Sequence, residues 1–125
     1  DLDDFKTVND TFGHDAGDEI LRVFARRLSA TVREHDIVAR FAGDEFVVVA
    51  GRQHADRIAR RLLDELSVPI ELPSGRRAIV GVSIGLAQID AIDMDGGADL
   101  LLQQADRAMY EAKRRGKGQL VTLDA

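Results

Sequence analysis

The stretch Arg40-Phe41-Ala42-Gly43-Asp44-Glu45-Phe46 places the tightest limit on how this chain folds. It joins two short apolar runs, Ile37 to Phe41 and Phe46 to Ala50, both rich in β-branched or aromatic residues. Runs of this kind, separated by a few residues that include glycine, predict a β-hairpin. Its tip carries two adjacent carboxylates, Asp44 and Glu45. Aspartate is common in turns, so a solvated hairpin tip is one reading. A metal or catalytic site is the other, because scaffolds present chemistry on exposed bends. The hairpin residues leave both open.

Helices surround it. Phe5, Val8 and Phe12 fall at helical spacing before Gly13, which predicts a short helix with Asp3 or Asp4 as N-cap. A longer helix is expected to start at Gly17-Asp18, with Leu21, Ala25, Leu28 and Val32 on one face, and to end near Arg33 to His35. Ala55, Ile58, Leu62 and Leu66 mark a third, and Ala98, Leu101, Ala105, Ala108 and Ala112 a fourth, closed by Gly116. Pro69 to Leu72, Ser74-Gly75 and Arg77 onwards read as a second hairpin. Within Ala78 to Ile89 a long strand broken by glycine is expected over Ile79 to Ile84, and a short one over Leu120 to Leu123. The alternation predicts one α+β domain over residues 1–125, a sandwich in which helices cover a mixed sheet with an antiparallel hairpin at its centre. A strand should lead into Asp1. The chain opens at Asp1 rather than Met, so it reads as an N-terminally truncated domain of a longer multidomain protein, with a strand and a helix missing.

Several classes of function can be set aside. A net charge of −5 argues against a broad nucleic-acid surface, though not against one small anion gripped locally. The absence of cysteine excludes disulfides and thiolate metal sites. No apolar run is long enough to span a bilayer and no signal peptide is visible, so a cytoplasmic setting without direct membrane contact is expected. Asp93-Met94-Asp95-Gly96 resembles the start of a calcium loop, but Gly97 and Ala98 stand where the next ligand and the required glycine belong. Gly81-Val82-Ser83-Ile84-Gly85 has the letters of a nucleophile elbow, yet lies inside a strand pattern. His14, His35 and His54 are scattered, which does not suit zinc.

One constellation remains. If the strand entering Asp1 lies beside the hairpin, Asp1 and Asp44 come together with a backbone carbonyl. That set suits Mg²⁺, which takes few protein ligands and completes its shell with water and phosphate oxygens. Free N–H groups at the start of the first helix, around Asp4 and Phe5, would make an anion site at the same place. A nucleoside triphosphate with Mg²⁺ is the ligand expected, as in polymerase-like palms.

The sequence resembles the GGDEF domain family over essentially its whole length. Residues 1–18, DLDDFKTVNDTFGHDAGD, are similar to the family's opening signature, and RFAGDEF at 40–46 to its naming motif. Ser83-Ile84-Gly85 and Ala105 to Lys113 match later blocks. The resemblance implies a nucleotidyl-cyclase palm and a diguanylate cyclase, which condenses two GTP to cyclic di-GMP with release of pyrophosphate. It implies that Asp1, the Leu2 carbonyl and Asp44 hold Mg²⁺ (or Mn²⁺), with Glu45 supporting catalysis beside them. It further implies that Asn9 and Asp18 read guanine, that Asp4 and Phe5 bind phosphate through their amides, and that Lys113 and Lys117 grip the terminal phosphates. Lys6 is a weaker candidate for phosphate. Arg33 and Asp36 match the RxxD of the family's product-inhibition site. Without the family, Asn9 and Asp18 read rather as helix-boundary polar residues, and the alternative for Arg33 is a helix-end salt bridge to Asp36. A catalytic homodimer is implied, with a fused sensor or EAL domain as possible neighbour.

Two positions depart from the pattern. Ala42 replaces the first glycine of the motif, and adds a methyl where backbone approaches ligand. Lys117 stands where the family usually has arginine, and cannot fork to phosphate. The competing reading is therefore a degenerate GTP- or cyclic di-GMP-binding module that regulates an attached domain such as an EAL phosphodiesterase. A third is a dimerisation domain without ligand.

Overall fold

The computed structural model describes residues 1–88 and 97–123. In chain order the elements are α1 (Phe5–Phe12), α2 (His14–Thr31), β1 (Ile37–Ala42), β2 (Glu45–Val49), α3 (Arg52–Leu66), β3 (Ile70–Glu71), β4 (Arg77–Ala78), β5 (Ile84–Leu86), α4 (Gly97–Arg114) and β6 (Leu120–Thr122). Ile20, Leu21, Phe24 and Leu28 recur along one face of α2 and are buried against Ile58, Leu62 and Leu66 of α3. Leu2, Val80 and Val82 complete that core. Each large side chain so buried contributes roughly 1.5–3 kcal/mol.

Three two-stranded ladders form: antiparallel β1–β2, antiparallel β3–β4, and parallel β5–β6. Both expected hairpins are present. In the first, Ile37 pairs with Val49 and Arg40 with Phe46, and the register shifts between Arg40 and Ala42. The segment Asp1 to Asp3 ties the hairpin to the other strands. Leu2 N–H donates to the Asp44 carbonyl at 3.2 Å, while Asp3 N–H donates to Gly81 and Ser83 N–H to Asp1, both at 2.9 Å. The mixed character of the sheet expected from sequence follows from this arrangement.

Three local expectations need correction. First, α2 begins at His14, not at Gly17. Gly13, at φ 91°, makes the break, and Gly17 lies buried inside the helix. A Cβ on Gly17 would stand 1.8 Å from Asn9 Oδ1, so this glycine lets α1 and α2 approach closely. The helix also ends earlier, at Thr31, because Val32 is extended and the Asp36 carboxylate accepts from Arg33 N–H at 2.7 Å to form a turn. Second, of the long strand expected over Ile79 to Ile84, only Ile84 lies in a ladder strand, β5. Residues 81–83 bond to Asp1–Asp3 and residues 84–86 to β6, so no single ladder runs its length. Third, Asp4 is the N-cap of α1 but makes no side-chain cap bond, because its carboxylate accepts from Lys117 instead. Ile89, at the end of the stretch that holds the expected strand, and the 93–96 loop lie outside the described residues. Among the described residues, no helix is long and apolar enough to cross a membrane.

Candidate functional site

The site begins where the chain begins. Leu2 is 1% exposed, which anchors the residues on either side of it. Its bond to the Asp44 carbonyl brings Asp1 and the Asp44-Glu45 tip side by side. Asp44 and Glu45 are half-buried. The alignment expected from the hairpin pattern is therefore present in the backbone.

Helix α4 delivers a cation to the same place. Gly85 has no side chain, and a Cβ there would lie 2.1 Å from the Ala105 carbonyl, so α4 packs directly onto β5. Ala108 and Ala112 are fully buried and pack with Val121 of β6. Lys113, the residue after Ala112, projects its ammonium to Asp1 Oδ1 at 2.5 Å and to the Leu2 carbonyl at 3.4 Å. Asp3 Oδ1 is 3.8 Å away. Two carboxylates, those of Asp1 and Asp3, thus act on this one ammonium.

This donor set bears on whether a metal ion fits. Two oxygens, from Asp1 and Leu2, already converge on a positive charge, and Asp44 adjoins them. Among the described residues, no group of three His, Cys, Asp or Glu forms a closed cage. Mg²⁺ needs none, since it is held by one or two carboxylates with phosphate and water completing the shell. The residues fit an ion shared with a phosphate ligand.

The start of α1 lies alongside. Its first helical bond runs from Val8 N–H to the Asp4 carbonyl, so the amides of Phe5, Lys6 and Thr7 precede the intrahelical ladder. Lys117 Nζ reaches Asp4 Oδ1 at 2.5 Å, and that hydrogen bond holds the ammonium pKa above its ordinary value. Asp3, Asp4, Thr7, Gly81 and Lys117 line a cavity of about 500 Å³ here.

Asn9 and Asp18 are on neighbouring helices. Asn9 packs over Gly17, the residue before Asp18. Asp18, Arg22, Arg40 and Phe46 line a second cavity of about 270 Å³ between α2 and the hairpin. Arg33 and Asp36 lie elsewhere, beyond the far end of α2, whose last residue, Thr31, is about 20 Å along the axis from Asp18 at 1.5 Å per residue. The expected alternative for Arg33, a side-chain salt bridge to Asp36, does not form: the Asp36 carboxylate takes the backbone N–H, and Arg33 is exposed.

Sequence reasoning named Asp3 as a cap candidate and Ser83 as a motif residue, but missed the bond between them, and it missed Gly118. Asp3 is 6% exposed and Ser83 fully buried. Their bond joins positions 80 residues apart, which no local pattern signals. Arg40, beside Asp18, was legible only as part of the hairpin motif.

Comparison with known proteins gives a consistent picture. The family model described as the diguanylate cyclase GGDEF domain matches residues 1–119. The response regulator PleD of Caulobacter vibrioides is 42% identical over 97% of this chain, which spans 27% of PleD. The cyclic di-GMP phosphodiesterase NbdA of Pseudomonas aeruginosa is 38% identical over 94% of the chain, which spans 15% of NbdA. Among solved structures, the GGDEF domain of TpbB (YfiN) from Pseudomonas aeruginosa superposes with a TM-score of 0.87 at 40% identity, covering 98% of this chain and 72% of that one.

Proposed function

The chain belongs to the GGDEF family of diguanylate cyclase domains, and from that premise we propose that it takes part in Mg²⁺-dependent condensation of two GTP to cyclic di-GMP. The observation that carries the reading is the junction of Asp1 and Leu2 with Asp44, on which Lys113 also converges. Asp1, the Leu2 carbonyl and Asp44 would hold the ion, which supplies charge neutralisation at the phosphates and polarisation of the attacking oxygen.

The chain's own residues supply the rest. The amides of Asp4 and Phe5 bind phosphate oxygens at the start of α1. Lys113 and Lys117 neutralise the terminal phosphates, each leaving its present carboxylate partner to do so. Asn9 and Asp18 read guanine: a carboxylate accepts from N1–H and the exocyclic amine, a donor edge that adenine lacks. Glu45 stands beside the reacting centre. Two domains face each other as a homodimer. The 3′-oxygen of each GTP bonds to the α-phosphorus of the other, the α–β phosphoanhydride bond breaks, and pyrophosphate leaves with its electron pair. The hydroxyl proton passes to solvent or to Glu45. Arg33 and Asp36 form the product-inhibition site, and an exposed guanidinium is suited to a bidentate grip on guanine or phosphate.

A second reading is a regulatory module that binds GTP or cyclic di-GMP and acts on an attached phosphodiesterase domain. Ala42 in the motif and the relationship to NbdA favour it. Incubation of the purified protein with GTP and Mg²⁺, followed by chromatography of the nucleotides, separates the two. Cyclic di-GMP formation supports the cyclase. Binding of GTP without turnover supports the module.

A further inference from the structure

Among the described residues, only two non-glycine residues have left-handed backbone: Asp4 at φ 55° and Lys117 at φ 64°. They are joined to each other, Lys117 Nζ to Asp4 Oδ1. Left-handed conformations in non-glycine residues carry strain and persist where surrounding structure enforces them. Lys117 sits between Gly116 at φ 121° and Gly118 at φ 60°, so three consecutive residues of the turn after α4 have positive φ. Its own sequence does little to hold it there.

Asp3 provides the restraint. Its Oδ2 accepts the Gly118 N–H at 2.9 Å, and its Oδ1 accepts the Ser83 hydroxyl at 2.6 Å. Its own N–H donates to Gly81. A Cβ on Gly81 would lie 3.0 Å from Asp3 Oδ2, so the carboxylate sits hard against the 81–83 backbone. One buried carboxylate therefore ties the start of α1, the 81–83 segment and the Lys117 turn together. Both strained residues flank it, Asp4 next in sequence and Lys117 beside its hydrogen-bond donor. A buried carboxylate with these bonds is costly to disturb, because any donor left behind is unsatisfied.

We infer that Asp3, braced by Ser83, is a positioning residue that aims the Lys117 turn and the start of α1 at the phosphate end of the nucleotide. It does not touch the ligand. The inference rests on the reading of this site as a GTP site.

The experiment compares GTP with GMP, by calorimetric titration of the purified protein and of Asp3→Ala, Asp3→Asn and Ser83→Ala. GMP keeps the guanine contacts and lacks the terminal phosphates. Asp3→Ala should weaken GTP about tenfold or more while GMP binding stays within about twofold, since a hydrogen bond to a charged group is lost. Asp3→Asn, whose amide oxygen can still accept from Gly118, should recover most of that loss. Ser83→Ala should show the same GTP-selective weakening to a smaller degree, and serves if Asp3→Ala does not fold. Equal loss of GTP and GMP, or no loss of either, in Ser83→Ala and in whichever Asp3 variants fold would overturn the positioning role. Failure of the parent protein to bind GTP at all would overturn the cyclase reading, and this inference with it.

Discussion

Lys113 and Asp1 lie 112 residues apart in sequence and meet with Nζ 2.5 Å from Oδ1. The Asp1 side chain is 13% exposed and that of Lys113 30%, so the pair is better shielded than an ordinary surface ion pair. The ammonium also faces the Leu2 carbonyl. It therefore rests on two of the three groups proposed to hold Mg²⁺, and cannot remain there once an ion arrives with a nucleotide.

Lys113→Met should separate the two uses of this lysine. Without nucleotide, Mn²⁺ binding counted by electron paramagnetic resonance should tighten several-fold, because the competing charge is gone. GTP affinity should fall in the same variant, since the phosphates lose a cation. Unchanged Mn²⁺ affinity would mean that the ion and the ammonium do not compete.

Asp44→Asn keeps the shape of the hairpin tip and removes a charge. Cyclic di-GMP formation should drop by orders of magnitude while the thermal melt stays put, because Leu2 bonds to the Asp44 backbone and not to its side chain. A variant that turns over like the parent takes Asp44 out of the mechanism.

Asp18→Ala should weaken GTP by about 1.5–3 kcal/mol, roughly ten- to a hundredfold, the range for a lost hydrogen bond to a charged group. ATP binding should barely change. Parallel losses for both nucleotides would make Asp18 a structural residue at the edge of its cavity.

Arg33→Ala should relieve product inhibition without raising the GTP requirement, given its distance along α2 from Asp18. The measurement is initial rate against added cyclic di-GMP. An unshifted inhibition curve would remove Arg33 from product binding.

Glu111 offers a pH-dependent test at the end of α4. Arg114 and Arg115 bond to its carboxylate and hold its pKa down, from 4.5 to about 2, with the Arg114 hydrogen bond the largest cause. A depressed folded value means that the unfolded chain binds the proton first. The stabilisation is complete above the ordinary carboxylate range and is lost as pH falls through about 2. The Glu111 carboxyl, followed by nuclear magnetic resonance in the folded protein, should titrate near that value. A midpoint at the ordinary value would mean that the arginines do not hold it in solution.

The sequence by itself determined the elements that depend on local pattern. The hairpin from Ile37 to Val49 follows from two β-branched runs about a glycine turn, and α1, α3 and α4 from apolar spacing, with a glycine closing α1 and α4. Asp44 and Glu45 stood out because they occupy the turn between those runs. Tertiary structure alone decided what such spacing does not encode. Gly17 looked like a helix start, and only the crossing with Asn9 shows it to be a contact between helices. Asp4 looked like a cap, yet its carboxylate is taken by Lys117, 113 residues away. The bond between Asp3 and Ser83 carried no signal, because a hydrogen bond between positions so far apart arises only when Leu2 is buried beside Val82. Local pattern reports the conformation a segment prefers. Which charges meet across the sheet depends on how the core packs, and that is a property of the whole chain.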